Sequence, residues 1–150
     1  MKWPLPIDRG ELIMSGTLYL EIVTPEKVLV SQEADMVIAP GSEGEFGVLP
    51  EHINFLTGII PGEVRFDYNK KREYLSVSSG FAEVSDNRVS ILAQSAEKAG
   101  DIDIERAKNA MGRAKERLSG DRESKDIDFA RAELALKRAV TRLKIAEKSK

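Results

Sequence analysis

Cysteine is absent from the 150 residues. That removes disulfides, thiol nucleophiles and thiolate metal sites. The chain has 1 histidine, His52, so a His-rich metal site is also excluded. His52 has only Glu51 as an acidic sequence neighbour, and it reads as a structural or interface histidine rather than a general base. No apolar run approaches the roughly 20 residues that a membrane-spanning helix requires. Neither Gly-x-x-x-x-Gly-Lys-Ser/Thr nor Gly-x-Gly-x-x-Gly occurs, which excludes a P-loop and a dinucleotide fingerprint. Gly-x-Ser-x-Gly is missing too, so Ser78-Ser79-Gly80 is no nucleophile elbow. No catalytic residue is expected. No cluster of carboxylates marks a dedicated metal site.

What is present describes a soluble globular chain, 41% hydrophobic and 32% charged. The net charge of −2 hides an asymmetry. Residues 1–100 carry 9 Lys/Arg against 15 Asp/Glu, a net of −6. Residues 101–150 carry 14 against 10, a net of +4. Such asymmetry points to different partners for the two segments and to a boundary near Gly100. Residues 1–13 hold two prolines and follow neither period, and Met14 leads into a clean strand pattern. The expected organisation is an extension over 1–14, a β domain over 15–94 and a helical domain over 95–150.

From Thr17 to Ala93 the pattern has period two. Leu18, Leu20 and Ile22 alternate with Tyr19, Glu21 and Val23, and Val64, Phe66 and Tyr68 alternate with Arg65 and Asp67. Turn signals punctuate the runs, among them Pro40-Gly41-Ser42, Asn69-Lys70, Ser79-Gly80 and Asp86-Asn87. Short strands at such spacing predict a β-sandwich or barrel.

After Gly100 the period becomes helical. Ile104, Ala107, Met111, Ala114 and Leu118 form one narrow apolar stripe, with Asp101 as the expected cap. Asp126 is the expected cap of a second helix. Its stripe is Phe129, Ala132, Leu136, Val140, Leu143 and Ala146, widened by Leu134 and Ala139. Facing stripes and a short loop predict an antiparallel two-helix hairpin. Its many alanines bury little area each, so the hairpin is weakly held.

Arginines line both helices: Arg106, Arg113 and Arg117 on the first, Arg131, Arg138 and Arg142 on the second, each set at spacings 7 and 4. One reading is a solvated face. Another is an anion site, because arginine forks bind phosphate oxygens in pairs. In that reading Asp103, one turn before Arg106, orients that guanidinium or accepts a hydrogen bond from a ligand. A nucleic-acid surface is disfavoured, since Phe129 is the only aromatic past residue 100.

Three segments, in order, resemble the ε subunit of bacterial F-type ATP synthase. They are Gly41-Ser-Glu-Gly-Glu-Phe-Gly-Val-Leu-Pro-Glu-His52, Ser79-Gly-Phe-Ala-Glu-Val84 with Val89-Ser-Ile-Leu-Ala93, and the helical pair Ile102-Asp-Ile-Glu-Arg-Ala107 and Arg131-Ala-Glu-Leu-Ala-Leu-Lys-Arg-Ala139. Glu51 stands where many members of that family have glycine. The resemblance implies an N-terminal β-sandwich followed by a C-terminal two-helix hairpin, an α+β arrangement. It implies a non-catalytic regulatory and coupling subunit of the rotating central stalk. The sandwich is then expected to bind the γ subunit and the c-ring, with Glu45 at the c-ring contact and His52 near γ. The extended hairpin is expected to block ATP hydrolysis, its net charge suiting an acidic loop of the β subunits. The implied location is peripheral, on the cytoplasmic face of the bacterial membrane.

Some bacillus-like members bind ATP in the folded hairpin through an Ile/Leu-Asp-x-x-Arg-Ala motif. Here it is Ile102, Asp103, Arg106 and Ala107, accompanied by Glu97, Arg113, Arg138 and Arg142. The resemblance gives Asp103 and Glu97 hydrogen bonds to adenine or ribose, and gives the four arginines the phosphates. ATP is thus the expected regulatory ligand, and the residue types leave Mg2+ open. The alternatives are a free-standing nucleotide- or RNA-binding module and an enzyme built on a sandwich.

Overall fold

The computed structural model describes residues 16–121 and 123–149. The expected extension over 1–14 lies outside the described residues. The chain divides into two compact units, one running to Lys98 and the other from Ala99.

Ten strands build the first unit: β1 (Leu18–Val23), β2 (Val28–Ala34), β3 (Met36–Gly41), β4 (Gly44–Val48), β5 (Phe55–Ile59), β6 (Gly62–Tyr68), β7 (Lys71–Val77), β8 (Gly80–Ser85), β9 (Arg88–Ala93) and β10 (Ala96–Lys98). They form one sheet in the order β10-β7-β6-β3-β5-β8-β9-β1-β2, with β4 paired to β3. β1 and β9 pair in parallel, while the other pairs are antiparallel. The sheet wraps a single core to which every strand from β1 to β9 contributes, including Leu20, Val37, Val48, Phe66, Leu75, Val84 and Ile91. This is the predicted β-sandwich.

Alternation explains most of the core. On β6, Val64 and Phe66 are buried while Arg65 and Asp67 are less so. β1 departs from it, because all six of its residues are buried. Its second face carries Tyr19, Glu21 and Val23, with 5%, 2% and 3% exposure. Glu21 tolerates this through Arg88 on β9, whose Nη2 lies 2.6 Å from Glu21 Oε1. The Arg88 guanidinium also covers the Tyr19 ring, 5.1 Å from its centroid. A cation over an aromatic face is attracted by the ring quadrupole.

The Asn69-Lys70 and Asp86-Asn87 turns hold left-handed φ at both positions, 51° and 62°, then 51° and 59°. That conformation matches the right-handed twist of the flanking strands. Glu51 is also left-handed, with φ 68°. Its backbone N–H donates to Asn87 Oδ1, tying the segment after β4 to the β8–β9 turn.

The second unit starts with a 3-10 turn, Ala99–Asp101, followed by α1 (Ile104–Leu118) and α2 (Phe129–Glu147). The caps are not the expected ones. Asp101 is taken up in the 3-10 turn, and Asp103 caps α1 instead. Asp126 lies in the loop, and Asp128 caps α2. Each cap carboxylate accepts the backbone N–H three residues on. Both caps therefore lie two residues later than expected, while the helices begin at Ile104 and Phe129, where the stripes begin. The second stripe also changes: Leu134 is 55% exposed, while Ile145 is buried at 1%. On α1 the buried residues are Ala107 and Ala114 alone.

Candidate functional site

α1 separates the expected motif by chemistry. Ile102 and Ala107 are buried at 7% and 0% exposure, so they hold the segment in place. Asp103 and Arg106 are exposed and open to a ligand. Asp103 Oδ1 accepts the Arg106 backbone N–H at 3.0 Å. The carboxylate thus caps the helix through the Arg106 amide, rather than orienting its guanidinium as the sequence suggested. Arg113 is exposed on α1 and Arg138 on α2, and Arg142 is half-buried with an interaction of its own.

Glu97 stands apart from this set. It lies on β10, opposite Ser76 of β7, within the sandwich unit. β10 extends the sheet to Lys98, so the division falls after Lys98 rather than after residue 94. Short strands such as Ala-Glu-Lys carry too few residues to display a period.

Arginines behave differently in the two units. In the sandwich, Arg65 grips Glu45 with both terminal nitrogens, at 2.8 and 3.0 Å. It also lies 3.3 Å from Glu63. The Glu45 hydrogen bond raises the Arg65 pKa above its ordinary value. Arg72 binds both oxygens of Asp67, at 2.6 and 2.8 Å, and holds that carboxyl below its usual range. Arg88 has Glu21. In the helical unit, among the described residues, Arg106, Arg113, Arg117, Arg131 and Arg138 make no ion pair. Arg117 and Arg131 line a hollow of about 380 Å³ at the loop end, with Asp126, Ile127, Asp128 and Ala132. Unpaired guanidiniums on packed helices are suited to an incoming anion.

The sandwich presents a second surface, which the sequence reading missed. Leu56 and Phe81 are 71% and 63% exposed. Leu56 faces Glu83 across the β5–β8 ladder and Gly58 faces Phe81, which makes the two apolar side chains diagonal neighbours on the outer face. Leu49 and Ile53, in the segment between β4 and β5, are 57% and 77% exposed. His52 stands beside Ile53, half-buried, with Nδ1 2.7 Å from the Ile53 carbonyl oxygen. Its ring meets Phe55 edge-on at 6.2 Å. The missed signal was parity: Leu56 and Phe81 occupy strand positions where alternation calls for polar residues. Apolar residues clustered on an outer face mark an interaction site. Among the described residues, no group of three His, Cys, Asp or Glu side chains is poised to hold a metal. No described helix is long and apolar enough to cross a membrane.

Residues 17–99 match the family described as ATP synthase, Delta/Epsilon chain, beta-sandwich domain. Residues 101–147 match its long alpha-helix domain. An ATP synthase epsilon chain of Nitratidesulfovibrio vulgaris strain DP4 is 55% identical over 106 residues, 71% of this chain and 79% of that one. The epsilon chain of Syntrophobacter fumaroxidans is 50% identical over 106 residues, again 71% and 79%. A chain in the Euglena gracilis mitochondrial ATP synthase structure (OSCP/F1/c-ring) superposes with a TM-score of 0.74 at 23% identity, covering 93% of this chain and 88% of its own. At that identity the likeness speaks for the fold.

Proposed function

The chain belongs to the ATP synthase delta/epsilon family as an epsilon chain, and from this we propose that it works in the central stalk as a coupling subunit with a nucleotide-controlled brake. The sandwich docks on the γ subunit and the c-ring. The hairpin holds ATP when folded, and it blocks ATP hydrolysis when extended against the β subunits. The subunit performs no catalysis itself and sits peripherally on the cytoplasmic face of the membrane.

The observation that carries the nucleotide reading is the contrast among arginines. The described sandwich arginines are all engaged by carboxylates. Five on the hairpin are not, and three of these, Arg106, Arg113 and Arg138, belong to the expected ATP set. A bound polyphosphate exchanges the water around these exposed guanidiniums for paired, charge-assisted hydrogen bonds. Arg106, Arg113, Arg138 and Arg142 are assigned to the phosphates, and Asp103 to the sugar or base.

The Leu56–Phe81 face, with Ile53 and His52 at its side, supports the γ contact. Glu45 is 54% exposed at its side chain even in the grip of Arg65, and so stays available to a basic partner loop. The reading is tested by titrating ATP into the purified chain by calorimetry, beside Arg138→Ala and Lys125→Ala. Saturable one-to-one binding, weakened at least tenfold by Arg138→Ala and unchanged by Lys125→Ala, is expected. Equal losses in both variants would show diffuse charge attraction and no site.

A further inference from the structure

Gly112 stands in α1 at a position where nothing in the described fold calls for glycine. It is exposed, in right-handed helical backbone, at the ninth position of the fifteen-residue helix. A Cβ added there would meet no atom within 4 Å. No tight turn, close approach or left-handed φ explains it. Glycine inside an exposed helix shifts the local helix equilibrium toward the unwound form by a factor of about four to five relative to alanine. Asn109, exposed one turn earlier, is another weak helix former. α1 has limited packing to offset them, because only Ala107 and Ala114 are fully buried and Ile104, Met111 and Leu118 are half-buried. A helix of this length is marginal without such support.

The weak point lies inside the arginine array. Gly112 directly precedes Arg113 and follows Arg106 by six residues. Arg106 and Arg113 share one face only when the helix is continuous through residue 112, because seven residues then make two turns. The first turn is tied to the same array through the bond from the Arg106 amide to Asp103.

Resting on the nucleotide reading above, we infer that Gly112 sets the ATP affinity of the hairpin. It keeps α1 partly unwound without nucleotide, so that binding must also complete the helix. Apparent affinity falls by the fraction of molecules with a complete helix. The order of α1 in turn depends on ATP, which couples the ligand to the shape of the hairpin.

The test compares the full chain with Gly112→Ala and Asn109→Ala. Both substitutions favour the helix, and neither threatens folding. Amide exchange over residues 104–118 is measured without ATP, and ATP affinity by calorimetry. Gly112→Ala is expected to slow exchange and to tighten ATP binding up to about fivefold, with Asn109→Ala acting in the same direction to about threefold. Two positions rule out a chance contact between one added methyl and the nucleotide. Slower exchange with wild-type affinity would show a helix complete before binding, and would overturn the inference while leaving the ATP site intact. Absence of saturable binding in all three proteins would overturn the site and the inference together.

Discussion

The Asp103 carboxylate accepts the backbone N–H of Arg106 at 3.0 Å and so caps the helix that carries Arg106. A residue assigned to the nucleotide therefore also starts the helix that presents the phosphate ligands. Asp103→Ala is expected to cost about 1 kcal/mol of helix stability through the lost cap, in addition to any ligand contact. Asp103→Ser keeps a capping oxygen but shortens the side chain. The prediction is that Asp103→Ser retains the wild-type circular dichroism of the hairpin and still loses ATP binding. Loss confined to Asp103→Ala would make the residue a cap and nothing more.

Leu56 and Phe81 lie beside each other on the outer face of the sandwich. Leu56→Glu and Phe81→Glu are expected to leave the chain folded, changing stability by about 0.5 kcal/mol or less, as exposed substitutions do. Each should weaken association with purified γ subunit at least tenfold, since clustered apolar anchors dominate interfaces. Sedimentation or interferometry with the two proteins measures this. Wild-type association in both variants would move the γ contact elsewhere.

Glu51 carries φ 68°, a conformation that costs an L side chain roughly 1–2 kcal/mol. Glycine relieves that strain but adds freedom to the unfolded chain. Glu51→Gly is accordingly expected to raise the unfolding free energy by a net of about 0.5–1 kcal/mol, read as a higher denaturant midpoint. The backbone bond to Asn87 survives the change, because the amide is the donor.

How far the sequence foretold all this follows from the length scale of each signal. Period two over several residues predicts strands such as β6, and Asn69-Lys70 predicts its turn, because both are local. The two-sided burial of β1 is not local: it depends on what covers the Tyr19–Glu21–Val23 face. The partnership of Glu21 with Arg88 joins residues far apart in the chain. The capping positions shifted because Asp101, Asp103, Asp126 and Asp128 are equally good caps, and only the path of the backbone selects among them. The arginine stripes were plain from spacing, but the finding that Arg106, Arg113, Arg117, Arg131 and Arg138 make no ion pair among the described residues required coordinates.

The Glu21–Arg88 pair makes its own prediction. Both side chains are almost fully buried, at 2% and 6% exposure. Arg88→Ala leaves the Glu21 carboxylate buried without its counterion, and is expected to destabilise the chain by about 3–5 kcal/mol. Adding Glu21→Leu should recover most of that loss, because an apolar side chain needs no partner in the dry face. Urea denaturation of the single and double variants forms the cycle. A double variant no more stable than Arg88→Ala would mean that the loss lies in packing on Tyr19.

The central claim is that ATP holds the hairpin closed. A chain without cysteine accepts spin labels at chosen sites only. Lys115→Cys on α1 and Glu133→Cys on α2 are both exposed and lie outside the assigned ATP set. Electron–electron distance measurement on the doubly labelled chain, with ATP binding verified on the same sample, reads the helix pair directly. With saturating ATP the account predicts one narrow, short distance, as expected for helices packed roughly 8–10 Å apart. Without ATP it predicts a broad distribution reaching longer distances. The same narrow distance in both conditions would contradict the claim.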